Sequence, residues 1–141
     1  MITPRIRQIV LDTPDPRASA EFYRQLYDLR YRPGDEPPTD GSPDERGADW
    51  LVLSPASTDG IGMAFQEVDA LPRSTWPDQS VPQMLHLDTS VPDTESLLAV
   101  RERALALGAT ELFDRSDDPD EPLYVFADPA GHPLCIFVAK D

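Results

Sequence analysis

Nucleophiles, acid–base groups and metal donors are sparse in this sequence. It holds two histidines, His86 and His132, and one cysteine, Cys135. An imidazole titrating near neutrality can ligate a metal or move a proton. His86, in MLHLDT, therefore reads either as a ligand or acid–base group or as a strand histidine hydrogen-bonded to a neighbour. His132, in Ala130-Gly131-His132-Pro133, either reaches over a site or covers the turn into the last strand. Cys135, in LCIF, can act as a nucleophile or thiolate ligand. No sequence feature predicts a lowered pKa for it, and free cysteines in apolar strands are commonly small core residues. These three are the candidate catalytic residues. Asp12 and Asp88 stand in matching Leu-Asp-Thr triplets and suit either paired carboxylates or a shared capping role. Asp128, ahead of Pro129, reads as a turn-former.

A second set of residues suits binding rather than chemistry. Tyr23, Trp50, Met63, Phe65 and Trp76 are the kinds of side chain that line apolar ligand cavities, and each also suits a core. Gln66, beside Phe65, can supply the polar contact that orients a ligand. Trp76 lies in a proline-rich stretch where core packing explains it least, which suits a lid or a dimer contact. There is no glycine-rich phosphate loop, Gly-x-Ser-x-Gly elbow, paired-cysteine site or HExxH site, so nucleotide hydrolysis and the common hydrolase classes drop out.

The elements that must carry these residues follow from patterning. Ile6 to Thr13 is β-branched and apolar and stops at Pro14, as a largely buried strand does. Asp15 is a helix N-cap with Pro16 at the first helical position, and Ala18, Phe22, Leu26 and Leu29 recur at helical steps. Residues 33–47 are dense in Pro, Gly, Asp and Glu and read as an exposed loop. Asp49 to Leu53 and Ile61 to Val68 form a hairpin around turn chemistry ending in Asp59-Gly60. Asp69 to Pro82 is a proline-rich connector. The order then repeats: strand Gln83 to Thr89, helix Thr94 to Leu107 stopped by Gly108, and strands near Thr110 to Phe113, Leu123 to Ala127 and Leu134 to Ala139. The Leu-Asp-Thr triplets stand 76 residues apart, each followed by Pro-Asp and a helix, which points to an internal duplication.

Composition bounds the partners. With 12 basic and 26 acidic residues the net charge is −14, which repels phosphate backbones and anionic lipid surfaces. Nucleic acid and membranes are thus excluded as expected partners. A lone cysteine forms no internal disulfide, no basic-then-apolar leader is visible, and no apolar run reaches the roughly 20 residues of a membrane helix. A cytoplasmic location is the expectation.

The segments IVLDTPDPRASAEFYRQLYDL, GIGMAFQEVD, TWPDQSVPQMLHLDTSVPD, RALALGATEL and VFADPAGHPLCIF resemble the vicinal oxygen chelate superfamily, which joins glyoxalases, bleomycin-resistance proteins and dioxygenases. Within it they resemble the glyoxalase-like domain proteins. The resemblance implies an α+β fold of two tandem βαβββ modules forming a glyoxalase-like curved sheet around a cavity, and a homodimer. It also implies four metal-ligand positions, which on this chain are Gln8, Ala64, His86 and Cys135. His86 is of the usual ligand type, Gln8 offers a weaker amide oxygen, and Ala64 offers nothing. A divalent-metal cofactor with His86 and Gln8 as ligands is possible but not supported by this set, since an open catalytic site needs three or four good donors. The expectation is a single domain over residues 1–141, with module one at about 1–70 and module two at about 82–141. It would bind a small organic molecule through Gln8, Trp50, Met63, Phe65, Gln66 and Trp76, without the four-ligand metal site. The alternative is a metal-dependent lyase, isomerase or dioxygenase using His86, and whether the chain is catalytic stays open.

Overall fold

Two units, Met1–Leu71 and Pro72–Asp141, each lay one long helix on one four-stranded sheet. The computed structural model describes residues 1–57 and 59–140. The first unit runs β1 (Gln8–Thr13), α1 (Pro16–Tyr27), β2 (Arg30–Tyr31), a 3-10 turn at Arg46–Ala48, β3 (Trp50–Ser54) and β4 (Gly62–Glu67). Its strands lie in the order β1-β4-β3-β2, with β1 and β4 parallel and the other pairs antiparallel. The second runs β5 (Leu87–Val91), α2 (Thr94–Ala106), β6 (Thr110–Arg115), β7 (Leu123–Ala127) and β8 (Pro133–Val138). Its order is β5-β8-β7-β6, again with first and last strands parallel. This is the βαβββ unit twice, the α+β class expected. No helix among the described residues is long and apolar enough to cross a membrane.

Both helices start as their sequences require. The Asp15 side chain accepts from the Ala18 N–H at 3.0 Å with Pro16 following, and that of Asp93 accepts from the Ser96 N–H at 2.7 Å. Each such cap contributes about 1 kcal/mol. At the β1–α1 junction the buried Thr13 and Ser19 hydroxyls meet at 2.7 Å. Helix α1 buries Ala20, Phe22, Tyr23 and Leu26, and Tyr23 stacks on Phe65 of β4 with ring centres 5.5 Å apart. Helix α2 ends at Ala106, and Gly108, at φ 107°, takes the left-handed conformation that turns the chain out of it.

The caps fix the true register of the repeat. Asp15 and Asp93 stand 78 residues apart, an offset that matches Gln8 with His86 and Val10 with Asp88. The ladders agree: Val10 pairs with Ala64 and Ala64 with Val52, while Asp88 pairs with Cys135 and Cys135 with Val125. The Leu-Asp-Thr match is therefore two residues out of register. Asp12 lies opposite Gln66 and is not the counterpart of Asp88.

Other boundaries differ from expectation for local reasons. The first strand of the second unit begins at Leu87, not Gln83, because Met84 takes φ 61° and the Leu85 N–H turns back to the Gln83 carbonyl at 2.7 Å. The short β2 had no sequence signal. In the hairpin between β3 and β4, Thr58 lies outside the described residues. The acidic stretch 33–47 is mostly exposed, yet it plants one carboxylate in the interior. Asp35 is 0% exposed, accepts from the Val52 N–H at 2.9 Å, and faces Arg46 at 2.9 Å and Arg32 at 3.1 Å. Its neighbour Asp44 takes both Arg17 Nε and Nη2, at 2.8 and 2.9 Å. These bonds fasten a segment that composition alone assigns to solvent.

Candidate functional site

Strand alternation divides the second sheet into two faces. The guanidinium of Arg101 on α2 lies 5.4 Å from the Tyr124 ring centre, so the helix covers the face of Tyr124, Phe126, Leu134 and Ile136. The opposite face carries the row Asp88, Cys135, Val125, Phe113. A strap from the connector crosses this second face. Its loop is tied by the Thr75 N–H to the Val81 carbonyl and the Asp78 N–H to the Thr75 carbonyl, both at 2.9 Å. The strap is anchored where Arg73 Nη1 donates to the Pro129 carbonyl at 3.1 Å. It delivers Trp76 edge-on to Phe113, with ring centres 6.0 Å apart, and packs it against Leu123, Val125 and Cys135.

Between strap and sheet lies a hollow of about 200 Å3, lined by Trp76, Gln83, His86, Phe113, Arg115, Leu123, Val125 and Cys135. Its floor is apolar and its polar groups stand at the sides, the usual division of labour in a small-molecule site. The volume is below the roughly 300–1,000 Å3 of sites for drug-sized ligands, so it suits a compact molecule or one fragment of a larger one. Arg115 holds Asp118 at 2.6 Å, one bond of a guanidinium that has five donors.

Three residues singled out by sequence meet here: His86, Cys135 and Trp76. His86 is exposed and precedes β5. Cys135 is 8% exposed, and burial, reinforced by Asp88, pushes its thiol up to about 12. It is a protonated, apolar wall at neutral pH and a poor nucleophile. His132 is outside the lining. Its backbone N–H donates to Asp128 at 3.0 Å, together with those of Ala130 and Gly131, so Asp128 organises the turn as its sequence context suggested.

The first unit distributes its candidates differently. Trp50 and Gln66 lie directly opposite one another, and Gln66 is exposed. Met63 and Phe65 fall on the alternate face with Leu51 and Leu53, where Phe65 joins Tyr23 in the helix-covered core. Alternation thus separates Gln66 from the neighbour it was paired with in sequence. Gln8, half-buried at the start of β1 opposite Gly62, lines a separate hollow beside Arg5 and Arg7.

The donors at the four family positions do not fit an open divalent-metal centre. Gln8 and Ala64 supply a neutral amide and a methyl group; His86 and Cys135 supply an imidazole and a thiol that holds its proton. Among the described residues no three His, Cys, Asp or Glu side chains gather as a metal site. Sequence reasoning missed Gln83, Phe113, Arg115, Leu123 and Val125 as lining. For Leu123 and Val125 the reason is that the apolar run of β7, LYVFA, is buried on both faces and carries no polar mark to distinguish one side.

Comparison with known proteins agrees with this architecture. The family model described as Glyoxalase-like domain matches residues 8–137. A glyoxalase/bleomycin resistance protein/dioxygenase family enzyme from Burkholderia phytofirmans PsJN superposes with a TM-score of 0.66 at 15% identity, covering 96% of this chain and 98% of the other. The fosfomycin resistance protein FosX from Mesorhizobium loti gives 0.65 at 12% identity, with 99% and 95% covered. A FosX mutant from Listeria monocytogenes, complexed with Mn(II) and 1S,2S-dihydroxypropylphosphonic acid, gives 0.67 at 17% identity, with 99% and 93% covered. At such identities the likeness concerns the fold. No curated protein sequence matches the chain.

Proposed function

Because the chain belongs to the glyoxalase-like domain family, we propose that it binds a compact organic molecule in the hollow between Trp76 and the second sheet, without a four-ligand metal centre. The observation that carries this reading is the meeting of Trp76, His86 and Cys135 around one apolar-floored hollow. Trp76 and Phe113 offer aromatic edges and faces to a flat ligand, while Gln83, His86 and Arg115 offer polar contacts at the sides. The protonated Cys135 thiol adds shape rather than reactivity. As in the family resemblance, the protein would act as a homodimer in the cytoplasm, and sedimentation of the purified chain checks the oligomeric state.

The test is a screen of small aromatic and heteroaromatic compounds, read by tryptophan fluorescence in a Trp50→Phe background, where Trp76 is the remaining tryptophan. Saturable quenching by a compound, weakened at least about ten-fold by Phe113→Ala, supports the proposal. A screen in which every binder leaves Trp76 unaffected counts against it. The second reading, a metal-dependent lyase, isomerase or dioxygenase using His86, draws on the Mn(II) named for the Listeria structure. It requires stoichiometric divalent-ion binding that disappears in His86→Ala.

A further inference from the structure

The positive charges of the first unit are sorted unevenly. One hollow in this unit is lined by Glu21 and Glu36 together with Arg24 and Arg30, two acids against two bases, and Arg24 and Arg30 are paired with Glu21 and Asp28. A second hollow, of about 500 Å3 at the start of β1 and the end of β3, has a different balance. Arg5, Arg7 and Arg32 line it with Gln8, Ser54 and Ser57, and among the described residues no acidic side chain joins them. In a chain with 26 acidic and 12 basic residues, scattered charges would bring carboxylates into such a lining.

Nor is the charge of this hollow spent elsewhere. The ion pairs of the first unit use Arg17, Arg24, Arg30, Arg32 and Arg46; Arg5 and Arg7 have none among the described residues. Arg32 does face Asp35, but that single carboxylate also serves Arg46 and the Val52 N–H, so the cluster keeps a net positive charge. Guanidinium forks recognise phosphate and carboxylate oxygens through paired hydrogen bonds, and hydroxyl and amide donors beside them complete such a cradle. The surrounding net charge of −14 repels anions at long range, so a local cluster is what a specific anion site would require here.

We infer that the hollow formed by Arg5, Arg7, Arg32 and Gln8 is a binding site for a small, multiply charged anion of the phosphate or polycarboxylate class. It shares no lining residue with the Trp76 hollow and is argued independently of the function proposed for that one. It also gives Gln8 a role as an oxygen-facing amide donor rather than a metal ligand.

The probe is inorganic pyrophosphate, titrated by calorimetry and by amide NMR at constant ionic strength with chloride as the balancing anion, so that screening alone produces no signal. Saturable one-to-one binding is expected, with shifts centred on residues 5–8 and 54–57, and at least about ten-fold weaker in the Arg5→Gln, Arg7→Gln double variant. Both arginines are exposed, and thermal unfolding confirms that the variant is folded. The paired surface residue Arg30, changed to Gln, is the control and leaves affinity within about two-fold. Absence of saturable binding beyond chloride, or equal affinity in the double variant, overturns the proposal. Neither result bears on Trp76 quenching, which stands or falls separately.

Discussion

The two units share strand order, parallel closure of first on last strand, and a helix capped by aspartate, yet their open sheet faces differ at the two strands that close each sheet and keep a valine on the next one. Where the first carries Val10, Ala64 and Val52 in one row, the second carries Asp88, Cys135 and Val125 and extends the row to Phe113. The second also receives Trp76 from the connector. The first spends its specificity elsewhere, on Asp35 and Asp44, which fasten the long acidic segment. One scaffold thus supports a sheet-face hollow in one copy and a pinned loop in the other. Duplication preserved the backbone pattern, which depends on periodicity and caps, and left the face residues free to diverge.

The sharpest contrast is chemical reactivity at the Ala64/Cys135 position. With its thiol pushed up to about 12, Cys135 should react with iodoacetamide at neutral pH on the order of a thousand-fold more slowly in the folded protein than in urea. The raised folded value also has a sign for stability. The folded state holds the thiol proton more tightly than the unfolded chain, whose thiol titrates at about 8.5. Its contribution is therefore complete below that pH and is lost as pH rises toward about 12. Urea midpoints of the wild type should fall with alkaline pH more steeply than those of Cys135→Ala. Rapid alkylation at neutral pH would reopen a nucleophilic role.

Next in size is the loop anchor of the first unit. Asp35→Ala removes the acceptor of the Val52 N–H and the carboxylate that gathers the half-exposed Arg32 and Arg46, and should lower stability by about 2 kcal/mol in urea unfolding. The same change at exposed Asp88 should cost less than about 1 kcal/mol. Similar losses at both sites would erase the distinction drawn between the units. The smallest expected effect is electrostatic: Asp88→Asn removes one of the acids that raise the Cys135 thiol and should quicken alkylation by only a few-fold, because burial is the larger cause.

The architecture was legible because its signals are local and periodic. Asp15-Pro16 announced a helix start, Gly108 announced a helix stop, the run Ile6 to Thr13 announced a strand, and element order announced the duplication. The repeat's register was harder to read. The Leu-Asp-Thr identity suggested 76, whereas cap geometry and strand pairing set 78. Asp35 was invisible, since an acidic residue in a Pro-Gly-rich stretch looks solvated until Val52, Arg32 and Arg46 are seen to surround it. At the site, His86, Cys135 and Trp76 were picked out by chemical type, while Leu123 and Val125 of β7 were not. Strands buried on both faces give no alternation from which to choose the inward side. Met63 and Phe65 fall on the helix side for the same reason.

The central claim is that the Trp76 hollow takes a compact organic ligand without metal. Its most direct test is amide chemical-shift mapping of a screened binder, titrated into protein kept in EDTA. The account predicts saturable shifts centred on Trp76, His86, Phe113 and Cys135 that are unchanged when the diamagnetic divalent ion Zn(II) replaces the chelator. Binding that appears only after the divalent ion is added, or shifts centred away from these residues, would contradict it.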